Sequence, residues 1–226
     1  LRFYDILQKI IHTIKNTTWI RYLTSHPKDF SFDLIDLIKT HDKICNHIHL
    51  PVQHGSNKIL SLMERKYTRE KYLKIIEYIK NAISDISIST DILIGFPGEE
   101  EEDFNMTCEL LKTVEFDDAF TYYYNPREGT KAFSMEDTVP HSIKIERLNK
   151  IIELQRGISQ HRRKKRLGKR VKVLVENISK QQSCEVLART EYNDMVVFPG
   201  KQELIGTFVD VELLSLHGST FKARLI

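Results

Sequence analysis

Apolar, β-prone runs alternate with helix-period segments through most of the chain, and each run ends in a Gly, Pro or polar cluster. Trp19–Leu23 runs into Thr24-Ser25-His26-Pro27, and His47–Val52 into Gln53-His54-Gly55-Ser56. Ile88–Ile94 runs into Gly95-Phe96-Pro97-Gly98-Glu99, and Phe120–Tyr124 into Asn125-Pro126-Arg127-Glu128-Gly129-Thr130. Strands alternating with helices predict parallel βα units. In such sheets ligands gather at the C-terminal ends of the strands. The spacing predicts helices over Phe3–Lys15, Phe32–Ile38, Ser56–Arg65, Thr68–Ile83 and Glu100–Val114. Thr68 is the expected N-cap of its helix, and the acids Glu99–Asp103 suit the positive end of the next helix dipole.

After Pro140 a long helical stretch carries Ile143, Leu148, Ile151, Ile152 and Leu154, and it ends in a densely basic run from Arg162 to Arg170. Gly168 marks a stop, and from there the period changes. Val171–Glu176, Cys184–Thr190, Met195–Phe198, Phe208–Leu214 and Thr220–Ile226 read as five short strands separated by turns. That pattern predicts a small closed β-barrel of OB-like type. The expected division is residues 1–160 for an α/β domain and 161–226 for the barrel.

Composition narrows this little. The net charge of +3 over 226 residues is mild, so only the local basic run points to a polyanion. No apolar run reaches the roughly 18 to 20 residues that span a bilayer, and an early Asp5 argues against a signal peptide. Cys45, Cys108 and Cys184 are odd in number and far apart, which predicts reduced, buried thiols in a cytoplasmic protein. The chain begins with Leu1 inside a helix, where a βα barrel would have a preceding strand, so it reads as a fragment.

The order of these motifs resembles the radical-SAM methylthiotransferases. The matching stretches are Thr24–Pro27, His49–Ser56, Met63–Glu70, Asp91–Glu99, Pro126–Thr130 and Phe198-Pro199-Gly200. Within that family the Thr-Ser-His-Pro and His-Leu-Pro-Val-Gln forms are most similar to the MiaB-type tRNA 2-methylthio-adenosine synthases. The resemblance implies the C-terminal part of a partial (β/α) barrel followed by a TRAM domain. It implies methylthiolation at C2 of isopentenyl-adenosine beside the tRNA anticodon, using S-adenosylmethionine and 4Fe–4S clusters. The family's Cys-x-x-x-Cys-x-x-Cys signature has no counterpart here, so the cluster ligands are expected in an upstream remainder of the same polypeptide. This chain alone is then expected to be inactive, and to be a monomer. A cluster-free RNA-binding protein, a βα-barrel lyase or aldolase, and relatives that act on a ribosomal protein or threonylcarbamoyl-adenosine remain rivals. The aldolase version lacks a Schiff-base lysine on any predicted strand of the α/β part.

Because radical chemistry belongs to the cofactor, this chain's residues are expected to position and to exclude water, with no catalytic acid or base and no metal ligand among them. The resemblance places Gln53, Ser56, Asp91, Gly95, Pro97, Gly98 and Arg127 around S-adenosylmethionine. Glycines allow close backbone approach, although Gly95–Gly98 equally suits an ordinary turn. Arg127 offers a two-pronged grip on an anion, with a loop salt bridge as the alternative. Ser56 is a ligand contact, an N-cap or both. His26 and His54 are candidate substrate contacts, with loop packing an equal reading for His26. His47 and His49 read as supporting residues. Tyr122, Tyr123 and Tyr124 read by default as core. Arg162, Arg163, Lys165 and Arg166 are expected on RNA phosphates, and Tyr192 and Phe198 on unpaired bases.

Overall fold

The computed structural model describes residues 3–15, 18–23, 26–179 and 184–226. Thr24 and Ser25 of the first motif lie outside the described residues. Helices α1 (Phe3–Thr13), α2 (Asp33–Thr40), α3 (Asn57–Leu62), α4 (Arg69–Ala82) and α5 (Glu101–Val114) surround a parallel sheet. Its strands β1 (His47–His49), β2 (Ser87–Ile94) and β3 (Asp118–Tyr123) lie side by side in that order. Thr68 caps α4 as expected, its hydroxyl accepting from the Lys71 amide. Glu100 and Asp103 close α5 with a reciprocal capping box.

Two features of the sheet follow from particular residues. The predicted strand over Trp19–Leu23 does not form; only Ile20 makes a parallel bridge, to Ile44. The segment is drawn to the C-terminal barrel instead, where Arg21 donates to the Thr190 carbonyl at 2.7 Å and Trp19 packs edge-on against Phe208. Strand β1 is short because Pro51 has no amide to donate and the Val52 amide is taken by the Thr90 hydroxyl. Pairing with β2 resumes at Gln53, whose amide donates to Asp91 and whose carbonyl accepts from Leu93.

Helix α6 (His141–Lys164) packs against β3 and α5 and leads into the barrel. The barrel strands are β4 (Arg170–Ile178), β5 (Glu185–Thr190), β6 (Met195–Pro199), β7 (Phe208–His217) and β8 (Thr220–Leu225). They close in the order β4-β5-β6-β8-β7, with only β6 and β8 parallel. Register shifts after Val175 and Leu213 bend β4 and β7 enough to close the ring. Alternate residues fill its interior, Val173, Val175, Val186, Val196, Phe198 and Phe221 among them. The fold expected from the alternation of periods, α/β followed by a five-stranded barrel, is the one observed.

Basic residues at the junction serve packing. Arg163 pairs with Asp194 at 3.0 Å and Asp118 at 2.6 Å, while Arg166 pairs with Asp194 at 2.9 Å and Asp117 at 3.1 Å. Arg162 reaches Asp117 and the Ile86 carbonyl. The expectation that Arg163 and Arg166 face RNA is therefore corrected, while Arg162 is only half-buried. A guanidinium buried against carboxylates has no direction left in which to meet a phosphate, and Lys165 is the member of the predicted set that stays exposed. Phe198 is corrected likewise, being 0 % exposed inside the barrel. Tyr192 is half-buried, with the Arg166 guanidinium 4.5 Å over its ring. Of the cysteines only Cys45 is buried; Cys108 is half-buried and Cys184 exposed.

Candidate cofactor cleft

The C-terminal ends of β1, β2 and β3 open into a cleft of about 550 Å³. Gln53 enters from the end of β1, Asp91 and Leu93 from β2, and Tyr122 to Arg127 from β3 and the loop after it. Arg65, just past α3, forms part of the opposite wall. Register explains the convergence: Asp91 stands beside Phe120 and Leu93 beside Tyr122, so alternate residues of β2 and β3 share one sheet face. Asp91 also reaches the His49 imidazole at 3.5 Å, and Phe120 lies edge-on to that ring. Tyr122 is about half exposed along this face, against the expectation of core packing, and Phe120 beside it is as exposed, whereas Tyr124 is buried with its hydroxyl donating to the Ala132 carbonyl.

The cleft thus brings together Gln53, Asp91 and Arg127 from the predicted set. The rest of that set builds the layer behind it. Glu99 is the centre of this layer, its carboxylate wholly buried and fully used. One oxygen accepts from the amides of Gly95 and Phe96 and contacts the His54 imidazole at 3.2 Å. The other meets the Arg147 guanidinium at 2.8 Å. His54 is therefore corrected from substrate contact to internal support: it is 0 % exposed and held between Glu99 and Thr107. Ser56 is corrected too, since it donates to Asp103 at 2.5 Å and makes no side-chain cap.

The glycine loop also turns its back on the cleft. Gly95 has φ +67°, and a Cβ there would meet Lys144 Cγ at 2.5 Å, so the close approach it permits is to α6. Pro97 is buried and the Gly98 amide donates to Thr138, leaving Phe96 as the loop residue that reaches the wall. Gly55 is needed for the same kind of reason: a Cβ would sit 2.5 Å from the Met106 carbonyl of α5. Lys144 itself is buried, pairing with Asp137 at 2.5 Å beside the Tyr124 ring. His26 accepts from the Lys28 amide and packs edge-on to Tyr67, at the outer end of the cleft.

Sequence reasoning missed Arg65, Glu99 and Arg147. The signal for Glu99 was present as the first acid of a run, but a helix dipole explained it without a partner. Arg147 sits one turn beyond Lys144 on a helix whose apolar period drew attention to other positions.

These features define a class: a parallel βα sheet with a ligand cleft at its strand ends, joined to a small closed β-barrel. Residues 2–111 match the Radical SAM superfamily and residues 164–226 the TRAM domain. The chain is 49 % identical over 209 residues to the tRNA-2-methylthio-N(6)-dimethylallyladenosine synthase of Treponema denticola, covering 92 % of this chain and 46 % of that protein. It is 46 % identical to the protein of the same name from Thermoanaerobacter pseudethanolicus, over 100 % of this chain and 48 % of that one. The chain spans about half the length of the curated relatives it matches. Among solved structures, the radical SAM enzyme coproporphyrinogen III oxidase of Escherichia coli superposes with a TM-score of 0.56 at 14 % identity, covering 92 % of this chain and 50 % of that one. Residues 2–111 therefore belong to the radical SAM superfamily and residues 164–226 to the TRAM domain family.

The radical SAM superfamily uses S-adenosylmethionine and 4Fe–4S clusters, and the two fit this chain differently. Among the described residues no group of three His, Cys, Asp or Glu side chains is placed to hold a metal, so the residues here do not fit a cluster. The cleft does fit S-adenosylmethionine. Asp91 suits its ammonium, an arginine its carboxylate and the Gln53 amide its ribose hydroxyls, while tyrosine rings offer a surface to adenine.

Proposed function

We propose that this chain supplies the cofactor cleft and the RNA-binding barrel of a methylthiotransferase that modifies dimethylallyl-adenosine in tRNA. The observation that carries the reading is the convergence of Gln53, Asp91 and Arg127, from three successive strand ends, on one cleft. The printed names of the relatives supply the substrate class. When bound, S-adenosylmethionine supplies the radical chemistry that an unactivated aromatic C–H requires. The protein's part is to hold the cofactor's charged end between Asp91 and Arg127 and to keep water away with Leu93, Phe96 and Tyr124.

The barrel serves tRNA on this reading. With Arg163 and Arg166 committed to the junction, the exposed Lys164 and Arg170 of the basic run carry no ion pair among the described residues and can meet phosphate, while Lys165 stands 4.0 Å from Glu115. The working division keeps residues 1–160 with the sheet and 161–226 with the barrel, although α6 runs on to Lys164. No helix of the described residues is long and apolar enough to cross a membrane. A cytoplasmic location fits a tRNA substrate.

Calorimetric titration with S-adenosylmethionine tests the cleft. Arg127→Gln and Asp91→Asn should each weaken binding about tenfold or more, the worth of one charge-assisted hydrogen bond. Ser56→Ala should leave the affinity unchanged. Equal losses in all three would remove the distinction between the cleft and its supporting layer.

A further inference from the structure

The motif Met63-Glu64-Arg65-Lys66-Tyr67 has no role in the reading above. It forms a tight turn after α3, in which the Glu64 amide donates to Ser61 and the Arg65 amide to Leu60. Glu64 (φ +56°) and Lys66 (φ +58°), on either side of Arg65, are both held in the left-handed region. Such non-glycine residues persist only where their surroundings over-determine them, and they cluster at ligand sites. Gln53 (φ +69°) is another. Of the five among the described residues, Gln53 lines the cleft and Glu64 the hollow beside it, while Lys66 follows Arg65 in the turn, Glu115 ends a helix and Asn193 sits in a turn.

The neighbours of Arg65 are tied down. Glu64 pairs with Lys131 at 2.6 Å, and the Tyr67 hydroxyl donates to the Val52 carbonyl at 2.9 Å. The Arg65 guanidinium has no hydrogen bond or ion pair among the described residues. It stands on the wall shared by the inner cleft and an outer lobe that His26, Met63 and Lys131 continue. Burial, and after it the Arg65 charge, holds the His26 imidazole below its ordinary pKa.

Two unpaired guanidiniums, Arg65 and Arg127, thus face one cleft. A cofactor with a single carboxylate satisfies one of them. The anions an RNA brings are its phosphodiesters, and the outer lobe adjoins the cleft through the wall that carries Arg65. We infer that Arg65 is the phosphodiester-binding residue of the outer lobe, gripping the backbone of the RNA strand that carries the reacting base. This rests on the tRNA reading proposed above and on Arg127 as the partner of the cofactor's carboxylate.

The test measures binding of the full chain to a tRNA anticodon stem–loop across a range of salt, beside titration with S-adenosylhomocysteine. Arg65→Gln should lower RNA affinity about tenfold and shrink the log–log salt slope by about 0.7 to 0.9, the loss of one neutralised phosphate. S-adenosylhomocysteine binding should not change. Arg65→Lys should keep the slope, and matching melting curves exclude misfolding. A slope unaltered by Arg65→Gln overturns the inference and leaves the tRNA reading standing. Loss of S-adenosylhomocysteine binding in Arg65→Gln assigns the residue to the cofactor and overturns it also. If the unaltered chain binds RNA without salt dependence, or not at all, the tRNA reading fails and the inference with it.

Discussion

His47 shows how much one buried side chain can be asked to do. It is 5 % exposed, and its Nε2 contacts the Ser89 hydroxyl at 3.0 Å while its Nδ1 has no partner. Burial, followed by the Arg21 and His49 charges, pulls its pKa down to about 4. A histidine depressed in the fold binds its proton more readily once unfolded. Its contribution is therefore complete above about pH 6.5 and is lost as pH falls toward 4, to the extent of roughly 3 kcal/mol. Urea unfolding between pH 7 and 4 should show that loss, and His47→Gln should flatten it. A variant as acid-sensitive as the parent would place the loss on other groups. The same burial explains Cys45, whose thiol is pushed up to about 11 and should be the last of the three to alkylate.

At the scale of elements, what the sequence revealed and what it hid divide along one physical line. Apart from the strand expected over Trp19–Leu23, the strands, helices and barrel were legible because their apolar periods report directly on which face is buried. Helix α6 was not, beyond its existence. Its buried stripe runs through Lys144, Arg147, Ile151, Gln155, Ser159 and Arg163, polar at every position but one. An apolar period cannot find such a face, since each group is tolerated there only through a partner far away in sequence. The basic run after it misled for the same reason: its length suggested a polyanion, and its acids come from β3 and the turn before β6. The misassigned His54 and Ser56 sit in the right motif, one and three residues past Gln53. Which member of a loop faces the cleft is set by the φ of +69° at Gln53 and by α5 pressing on Gly55. Arg166→Gln makes the junction testable. Removing one partner from a buried ion pair costs roughly 3 to 5 kcal/mol, so this variant should melt well below the parent while its salt slope for RNA stays unchanged. A lower slope with unaltered stability would return the arginine to the RNA surface.

For the molecule as a whole, the junction fixes where the barrel stands relative to the cleft. Arg163 and Arg166 link α6 to β3 and to Asp194, while Arg21 and Asn46 reach Thr190 and Glu191 from the sheet side. Contacts from both sides, most of them buried or half-buried, leave little freedom for the barrel to swing. On the tRNA reading proposed above, RNA held by the barrel would be presented to the cleft at a set distance, which suits modification of one base beside a structured stem. The account stands or falls on the cleft being the place where S-adenosylmethionine binds. Amide hydrogen exchange with and without that cofactor reads this directly. Slowed exchange confined to the ends of β1 and β2 around Gln53 and Leu93, and to residues 123–130 after β3, is the predicted result. Protection elsewhere, above all in the aromatic hollow of Phe30 and Phe32 beside α2, or slowed exchange spread evenly over the sheet, would contradict it.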